Sequence, residues 1–380
     1  MLFFQWKGVE VVKASGPDGF PLDMAGVERE LRSRIEAQRI VGLSLAVSRP
    51  GSVAWNTNYG HADLTTAAPS STETSYLWFS MTKIVTATAV MQLVEDGSVN
   101  LDSTIRNYVP EFGVVRQSEA VTVRHLLSHS SGLSNPAPVR WLHPAGTPGP
   151  EPRRFLASLL RRHAKLRFRP GARARYTNLG YLVLGQLIAD VSGGSYTDFA
   201  TRRILVPLGM TRTGFEGGRG PHEATVYQRT PRALVPLLRL ALPRRTVGER
   251  IGRWVGYPPF RLHGAAYGGL VGPVGDAACF VAAHLNRGEL DGTRILERSS
   301  VDLMQQLETP GRPYDVGLGW YRPAKVRNRS PRFIEHLGGG LGVYNSMRLY
   351  PDRQLGVVVM ANSPGYDLEA LLTPIVEAFS

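Results

Sequence analysis

The chain has 380 residues, of which 43% are hydrophobic and 20% charged, a composition typical of a soluble globular protein of two or three domains. Its one cysteine, Cys279, excludes an intrachain disulfide and a cysteine-based zinc site. The formal net charge of +13 comes from 39 arginines and five lysines, and it favours anionic partners.

The N-terminal segment MLFFQWKGVEVV has a short apolar start that Lys7 interrupts. It contains no long apolar run and no small-residue cleavage site, so it predicts neither a signal peptide nor a membrane-spanning helix. We therefore expect a cytoplasmic protein with an N-terminal extension over residues 1–18.

The first regular elements follow this extension. Residues 26–40 place Val27, Leu31 and Ile35 at a spacing of four, which predicts an amphipathic helix. The runs LSLAVS and SVAWNTNYG then predict two strands joined by a hairpin turn.

Residues 78–97, WFSMTKIVTATAVMQLVEDG, predict a buried helix because nearly every side of it is apolar. Lys83 in its first turn has no acidic residue within four positions, so a charge there would be desolvated without a local partner. Ser80, three residues earlier, would lie about 5 to 6 Å away between Cβ atoms. Desolvation lowers the pKa of an amine, which could then accept the hydroxyl proton. The alternative is a capping serine beside a lysine that snorkels to water.

Residues 113–261 contain helical runs and loops rich in proline and arginine, with few strand signals, and predict an inserted helical domain. Within it, Tyr176 and Asn178 precede a second nearly apolar helix that a Gly-Gly pair closes. A cationic neighbour would lower the pKa of the phenol, making Tyr176 a candidate proton shuttle opposite Lys83. The alternatives are an ordinary N-cap for Asn178 and a half-buried surface aromatic for Tyr176.

Two blocks concentrate the arginines, at residues 153–175 and 229–261. A basic, partly amphipathic stretch predicts peripheral contact with an anionic membrane, and the alternative is a solvated arginine-rich surface. Helix-turn-helix, zinc-finger and RNP signatures are absent from the sequence, so we expect no nucleic-acid partner.

The segment EHLGGGLG, residues 335–342, leads into the strand-like run VYNSMRLY. Glycines beside a strand let a ligand approach the backbone, and the N–H of one can point at an oxyanion. His336 either steers a ligand or is a satisfied core histidine. We select His336, Gly338 and Tyr344 as substrate-binding candidates, the last because it follows the glycines so closely.

The runs VYNSMRLY and LGVVVMAN flank a turn, and residues 367–379 predict a terminal helix. Strands at both ends of a chain, each next to a terminal helix, are most simply joined in one antiparallel sheet. The predicted class is α+β, an antiparallel sheet flanked by terminal and central helices. Residues 19–112 and 262–380 would form the sheet domain, and residues 113–261 the helical one.

Three motifs, SMTK, YTN and HLG, occur in this order. They resemble the S-x-x-K, Y-x-N and K/H-x-G motifs of the serine β-lactamase and penicillin-binding-protein superfamily, most closely its class C-like branch of esterases and D-amino-acid peptidases. The segments HLLSHSSGL, GGLVGPVGDAACF and LYPDRQLGVVVMAN are also similar. The resemblance runs from about residue 19 to residue 380, and it implies the antiparallel sheet and helical insertion of that family.

The resemblance also implies a role for each motif residue. Ser80 would be the acylated nucleophile, with Lys83 and Tyr176 as the proton-transfer pair. Asn178 would bind the amide or ester side of the substrate, and the backbone N–H groups of Ser80 and Gly339 would form the oxyanion hole. The implied chemistry is two-step acyl transfer to water through an acyl-enzyme.

The third motif departs from the family pattern, because Leu337 stands where related β-lactamases and D-Ala-D-Ala peptidases carry a hydroxyl residue. An apolar side chain cannot donate to a substrate carboxylate. We therefore expect a carboxylesterase acting on small or medium acyl esters. The alternatives are a D-amino-acid peptidase or amidase, a β-lactamase or an acyltransferase of the same family. A non-catalytic binding protein with this fold is the alternative outside it.

Other chemistries fit the sequence less well. The G-x-S-x-G motif of α/β-hydrolases is absent. His125 and His129 have the spacing of a metal pair but lack the glutamate and third ligand of a zincin, so we predict no metal site and interpret the serines around His129 as loop residues. The glycine-rich segments do not fit a dinucleotide loop, and we expect no cofactor.

Overall fold

The computed structural model describes residues 23–138, 141–216, 223–243, 245–326 and 331–380. The predicted N-terminal extension, residues 1–18, lies outside the described residues.

Strands and helices alternate irregularly along the described chain. The strands are β1 (Gly42–Arg49), β2 (Ser52–Asp63), β3 (Ala68–Pro69), β4 (Tyr76–Leu77), β5 (Leu142–Pro144), β6 (Val226–Arg229), β7 (Arg250–Ile251), β8 (Trp254–Tyr257), β9 (Phe260–Leu262), β10 (Val271–Gly272), β11 (Glu289–Leu290), β12 (Thr293–Arg294), β13 (Tyr314–Val316), β14 (Tyr321–Pro323), β15 (Ile334–Gly340), β16 (Val343–Tyr350) and β17 (Leu355–Ala361). The α-helices are α1 (Met24–Gln38), α2 (Thr82–Glu95), α3 (Val123–Leu127), α4 (Pro152–Arg162), α5 (Asn178–Ser192), α6 (Tyr196–Ala200), α7 (Val235–Ala241), α8 (Ala265–Gly268), α9 (Val274–Leu285), α10 (Arg298–Gln305) and α11 (Leu368–Ala378).

One eight-stranded antiparallel sheet organises the molecule. Its order is β13-β14-β15-β16-β17-β1-β2-β3, so strands from the two ends of the chain lie side by side at its centre. The register pairs Leu45 of β1 with Val359 of β17. The predicted single antiparallel sheet, with a terminal helix next to each set of strands, is confirmed.

The two faces of the sheet are covered by different helices. On β1, Leu45 and Val47 belong to an apolar cluster that includes Leu31 of α1 and Leu371 of α11. Ala46, between them, belongs to the larger cluster that contains residues of α2, α5 and α9. Alternate residues of a strand point to opposite faces, so we call the α1 and α11 side the outer face and the other side the inner face.

The predicted buried helix begins with a short 3₁₀ turn, Phe79–Met81, and continues as α2. Every residue of α2 from Thr82 to Leu93 is buried. An all-round apolar sequence is thus matched by packing on several sides, against α5, α6 and α8.

The described part of residues 113–262 contains five strands, β5 to β9, besides its helices. The weak strand signals of this segment fit these strands, because each has only two to four residues, too short for alternation to stand out. They form a three-stranded sheet, β6-β8-β7, and the pair β5-β9. The proposed domain boundaries remain a prediction. Within the described residues, no helix has the length and hydropathy needed to cross a bilayer.

Candidate active site

Ser80 lies at the start of the buried helix, directly after Phe79, whose backbone is held at a φ of +47°. The side chain of Phe79 occupies the space beside Gly340 on β15, where an added Cβ would lie 2.0 Å from a ring carbon. This close approach requires a glycine in the third motif. Ser80 itself stays half-buried in the first turn, where backbone N–H groups lack partners within the helix.

The amine of Lys83 is fully buried and meets three oxygens. Nζ lies 3.0 Å from Ser80 Oγ, 2.9 Å from Asn178 Oδ1 and 2.7 Å from the carbonyl oxygen of Tyr267. No carboxylate among the described residues pairs with it, and burial holds the pKa of Lys83 well below its usual value.

A neutral amine has two hydrogens and one lone pair, and the three oxygens around Lys83 match that inventory. The Asn178 and Tyr267 oxygens can only accept, so they take the two hydrogens. The lone pair is left for the hydroxyl of Ser80. The geometry therefore aims Lys83 as a base at the Ser80 proton.

Tyr176 reaches Ser80 from the segment before α5. Its Oη donates to Ser80 Oγ at 2.6 Å, and its ring centroid lies 4.8 Å from Lys83 Nζ. The expectation that a cation would lower the pKa of Tyr176 was wrong, because burial raises that pKa. With Lys83 neutral, no nearby cation favours the phenolate, so Tyr176 remains a protonated donor.

Asn178 is the first residue of α5, and the N-cap position belongs to Thr177. Asn178 receives positional support from Asn135, whose Oδ1 accepts the Asn178 backbone N–H at 2.9 Å. The Thr177 hydroxyl donates to the Ser134 carbonyl at 2.8 Å. No sequence pattern points to Asn135, because its contact joins residues 43 positions apart.

His129 lies in the turn after α3 but is buried against the site. Its ring centroid is 4.4 Å from that of Tyr176, and its Nδ1 accepts the Thr177 backbone N–H at 3.3 Å. Burial, followed by the proximity of Lys83 and His336, holds the pKa of His129 well below its usual range. His125, its candidate metal partner, instead caps α3 through Thr122.

His336 points from β15 to the inner face, beside Tyr176 and Tyr321. Its Nδ1 lies 3.0 Å from the Leu337 carbonyl and so carries the hydrogen. Its Nε2 is buried without a protein partner among the described residues. Burial, with Lys83 as a second cause, lowers the pKa of His336 to about 3. His336 is therefore uncharged near neutral pH.

Gly338 and Gly339 alternate on the same strand. Gly338 packs against the carbonyl of Trp78, which would be 2.3 Å from an added Cβ, so Gly338 holds β15 against the segment that carries Ser80. The Leu337 N–H donates to Tyr321 Oη on the β14 side. Because N–H groups alternate between the two edges of a strand, the Gly339 N–H faces that same side.

That edge of β15 is open beyond its first residues. β14 pairs with β15 only at Glu335, and the position of a Cβ on Gly339 has nothing within 4 Å. A ligand beside Ser80 can therefore reach the Gly339 backbone.

Asn345 ties the two halves of the site together. It is fully buried on β16, opposite Gly338. Its Nδ2 donates to the Leu77 carbonyl at 2.8 Å, and its Oδ1 accepts the Ala361 N–H at 2.9 Å. One amide thus connects β4, β16 and β17.

A groove of about 1530 Å³ adjoins the site along Tyr176, Leu337 and Tyr344. Leu337 and Tyr344 are half-buried and lie at the edge of the outer-face cluster. The wall also carries cationic, acidic and aromatic residues, among them Arg173, Arg175, Arg312, Asp367, Glu369 and Tyr314. The groove offers Tyr344 to a ligand, and its role in binding remains a prediction.

Comparison with known proteins adds a family to this geometry. The sequence profile of the family described as Beta-lactamase matches residues 27–378. The chain belongs to the beta-lactamase family. The resemblance predicted from the SMTK, YTN and HLG motifs is thereby confirmed.

Two curated relatives and one solved structure are similar to this chain. Protein flp of Staphylococcus aureus (strain N315) is 27% identical over 206 residues, which are 53% of this chain and only 41% of that protein. D-alanyl-D-alanine-carboxypeptidase/endopeptidase AmpH of Escherichia coli (strain K12) is 28% identical over 302 residues, 75% of this chain and 70% of that protein. The octameric penicillin-binding protein homologue from Pyrococcus abyssi is 26% identical with a TM-score of 0.73, covering 93% of this chain and 76% of its own.

The predicted catalytic residues of this beta-lactamase family member converge in the structure. Ser80, Lys83, Tyr176 and Asn178 form one hydrogen-bonded group. His336, Gly338 and Gly339 lie on the strand beside it. The roles assigned to these residues remain predictions that the geometry makes specific.

Proposed function

We propose that the protein is a serine hydrolase that forms an acyl-enzyme on Ser80 and acts as a carboxylesterase. The observation that carries the proposal is the amine of Lys83, buried without a carboxylate and 3.0 Å from Ser80 Oγ. A buried lysine without a charged partner destabilises a fold unless it is neutral. A neutral amine in that position is a base.

Acylation begins when the Ser80 oxygen attacks the ester carbonyl and Lys83 takes the hydroxyl proton. The negative charge that develops on the carbonyl oxygen is stabilised by the backbone N–H groups of Ser80 and Gly339. Tyr176, a protonated donor 2.6 Å from the attacking oxygen, relays the proton from Lys83 to the leaving alkoxide. Water then repeats the sequence on the acyl-enzyme and restores Ser80.

Two features of the third motif support an ester over a substrate with a carboxylate beside the reacting bond. His336, whose pKa is lowered to about 3, supplies no positive charge at neutral pH. Leu337 supplies no hydroxyl, and its side chain lies in an apolar cluster with Tyr314 and Tyr321. A charge-assisted hydrogen bond of about 1.5 to 3 kcal/mol is missing at this position. A neutral ester has no carboxylate, so its binding does not depend on that hydrogen bond.

A second candidate is a D-amino-acid peptidase or amidase, and one observation favours it. Arg173, Arg175 and Arg312 are exposed on the wall of the groove beside Tyr176 and form no ion pair among the residues described. They could bind the carboxylate of a peptide farther from Ser80. The relative AmpH is named as a D-alanyl-D-alanine carboxypeptidase/endopeptidase. β-Lactamase and acyltransferase activities belong to the same group of alternatives.

The nucleophile is tested by replacing Ser80 with alanine. We expect Ser80→Ala to lose hydrolysis of p-nitrophenyl butyrate to the background rate and to lose labelling by a fluorophosphonate probe, because both need the Ser80 oxygen. Ser98→Ala, at an exposed serine after α2, is the matched control and should keep both. Wild-type turnover by Ser80→Ala would place the nucleophile elsewhere. An unlabelled wild-type protein would favour a non-catalytic binding protein.

The substrate class is tested by comparing kcat/KM for p-nitrophenyl butyrate, nitrocefin and a D-Ala-D-Ala peptide in one buffer. The esterase proposal expects the butyrate to be turned over fastest. A peptide preference that is lost in the double variant Arg175→Ala/Arg312→Ala would establish the second candidate instead. A preference for nitrocefin would move the protein to the β-lactamases while leaving Ser80 as nucleophile.

A further inference from the structure

A short apolar ridge projects from the surface at α7 and the turn before it. Leu234, Leu237 and Leu240 are 48%, 60% and 84% exposed. They account for three of the five large hydrophobic side chains that are exposed among the described residues. A spacing of three places them on one side of a helical segment. We call these three residues the leucine ridge.

The opposite side of the same segment is anchored in the protein. Val235 is buried and Leu242 is half-buried in an apolar cluster with Tyr257 and Phe260. The anchoring fixes which side of α7 faces outward. The leucine ridge therefore results from the packing of α7, and it has no cover within the described residues.

The surroundings of the leucine ridge are cationic. Residues 224–248 contain no aspartate or glutamate. Arg232, Arg239 and Arg245 are exposed there, and none forms an ion pair among the residues that the structure describes. An apolar ridge on an arginine-rich segment complements a bilayer that carries anionic headgroups over an apolar interior.

The helix that carries the leucine ridge shares a buried cluster with residues next to the site motifs. The cluster that anchors α7 contains Phe79, the residue before Ser80, and Val343, which follows the glycine motif. The rings of Phe79 and Phe260 are 6.3 Å apart in it. One buried cluster therefore connects the helix that carries the leucine ridge to the residue before Ser80.

We propose that the leucine ridge and its three arginines dock the protein on an anionic lipid bilayer. This inference rests on the proposed function, and it implies that the substrate is an ester delivered from that bilayer. A second copy of the chain is a poorer occupant, because a two-fold contact through this surface would bring the arginines of both copies together. A nucleic acid would satisfy the arginines and leave the leucines in water.

The proposal is tested by co-sedimentation of the full chain with vesicles of phosphatidylcholine alone or mixed with phosphatidylglycerol in equal parts. We expect binding to the mixed vesicles that weakens as salt rises. The double variant Leu237→Ser/Leu240→Ser should bind them at least about tenfold more weakly, since each leucine loses apolar burial in the bilayer. Val206→Ser changes a comparably exposed apolar residue, 61% exposed and outside the ridge, and should bind as the wild type does.

Binding by the leucine double variant that equals wild-type binding would overturn the proposal, as would equal binding to both kinds of vesicle. If the wild type does not bind vesicles but dimerises as its concentration rises, and the leucine double variant does not dimerise, the surface would belong to a contact with a second copy. Sedimentation is done with Ser80→Ala as well, so that docking is judged without any hydrolysis. Turnover of soluble p-nitrophenyl butyrate should be the same in wild type and the leucine double variant, which separates docking from chemistry.

Discussion

Two buried basic side chains lie on opposite faces of the β15-β16 pair, and their pKa values move in opposite directions. Lys83, on the inner face, is 0% exposed and has three neutral oxygen neighbours. Arg348, on the outer face, is 2% exposed and lies between Glu335 and Glu369. Burial lowers the pKa of Lys83. For Arg348 burial acts in the same direction, but the carboxylates outweigh it and the pKa rises.

The difference separates a basic residue that stabilises the fold, Arg348, from one that is available for chemistry, Lys83. Arg348 donates to Glu335 through Nε and one amino group at 3.0 and 2.7 Å, and its guanidinium lies 3.9 Å from the ring centroid of Phe333. Every part of that cation has a partner, so it stays charged and fastens β16 to β15 and α11. Lys83 has partners only for a neutral amine, and the lone pair that remains is reactive.

The largest expected effect comes from removing the inner amine. Lys83→Met keeps the length and apolar stem of the side chain, so we expect a folded protein. Turnover of p-nitrophenyl butyrate should fall by about 10²- to 10⁴-fold, the usual contribution of a positioned proton-transfer group. Steady-state kinetics on protein with a wild-type circular dichroism spectrum checks this.

Lys83→Arg sharpens the same comparison, because a guanidinium cannot deprotonate. It should lose activity as Lys83→Met does, and it should also lose stability, since the new charge has no carboxylate on the inner face. Wild-type turnover by either variant would show that another group takes the Ser80 proton.

Breaking the outer pair should cost stability. Arg348→Met leaves Glu335, which is 2% exposed, buried without its cation. We expect a loss of about 3 to 5 kcal/mol in the free energy of unfolding, measured by urea denaturation at neutral pH.

The double variant Arg348→Met/Glu335→Gln is the control for this loss. Without either charge, most of the lost stability should return. If Arg348→Met is as stable as the wild type, the ion pair between Arg348 and Glu335 contributes nothing to stability, and Arg348 does not have the structural role inferred for it.

The smallest effect is a slope of stability against pH. The pKa of Lys83 is lowered in the folded protein and near 10.5 in the unfolded chain, so between these values the unfolded chain binds a proton that the folded protein lacks. Stability contributed by this residue therefore rises with pH, by about 1.4 kcal/mol per unit, and is lost again as the pH falls towards the folded-state value.

This slope is measured as the difference in unfolding free energy between wild type and Lys83→Met, which cancels the other titrating groups. We expect the difference to shift in favour of the wild type from about pH 8 to about pH 10. A difference that does not change with pH would mean that Lys83 is protonated in both states.

Much of the fold could be predicted because its central elements are long and periodic. The spacing of Val27, Leu31 and Ile35 indicated α1, and the all-round apolar run after Ser80 indicated a buried α2. The strands of residues 113–261 escaped notice since each has only two to four residues, and short strands depend on their packing context more than on their own sequence.

The part of the candidate site that could be predicted consists of residues that belong to short sequence motifs. Ser80 and Lys83 are three residues apart, and Tyr176 stands just before a second, nearly apolar helix. The acceptors that hold the Lys83 amine were not predictable: the Tyr267 carbonyl belongs to the backbone, which any residue carries. The pKa of Tyr176 was misjudged because its direction depends on whether Lys83 is charged, and only burial decides that.

Asn345 has a mechanical consequence for the reaction. Its side-chain amide joins β4, the strand that leads to Ser80, to β17 in the main sheet. The backbone N–H groups of Ser80 and Gly339, which we expect to bind the substrate oxygen, lie on the two segments that this amide connects. Their spacing is therefore set when the chain folds, and substrate binding does not have to create it.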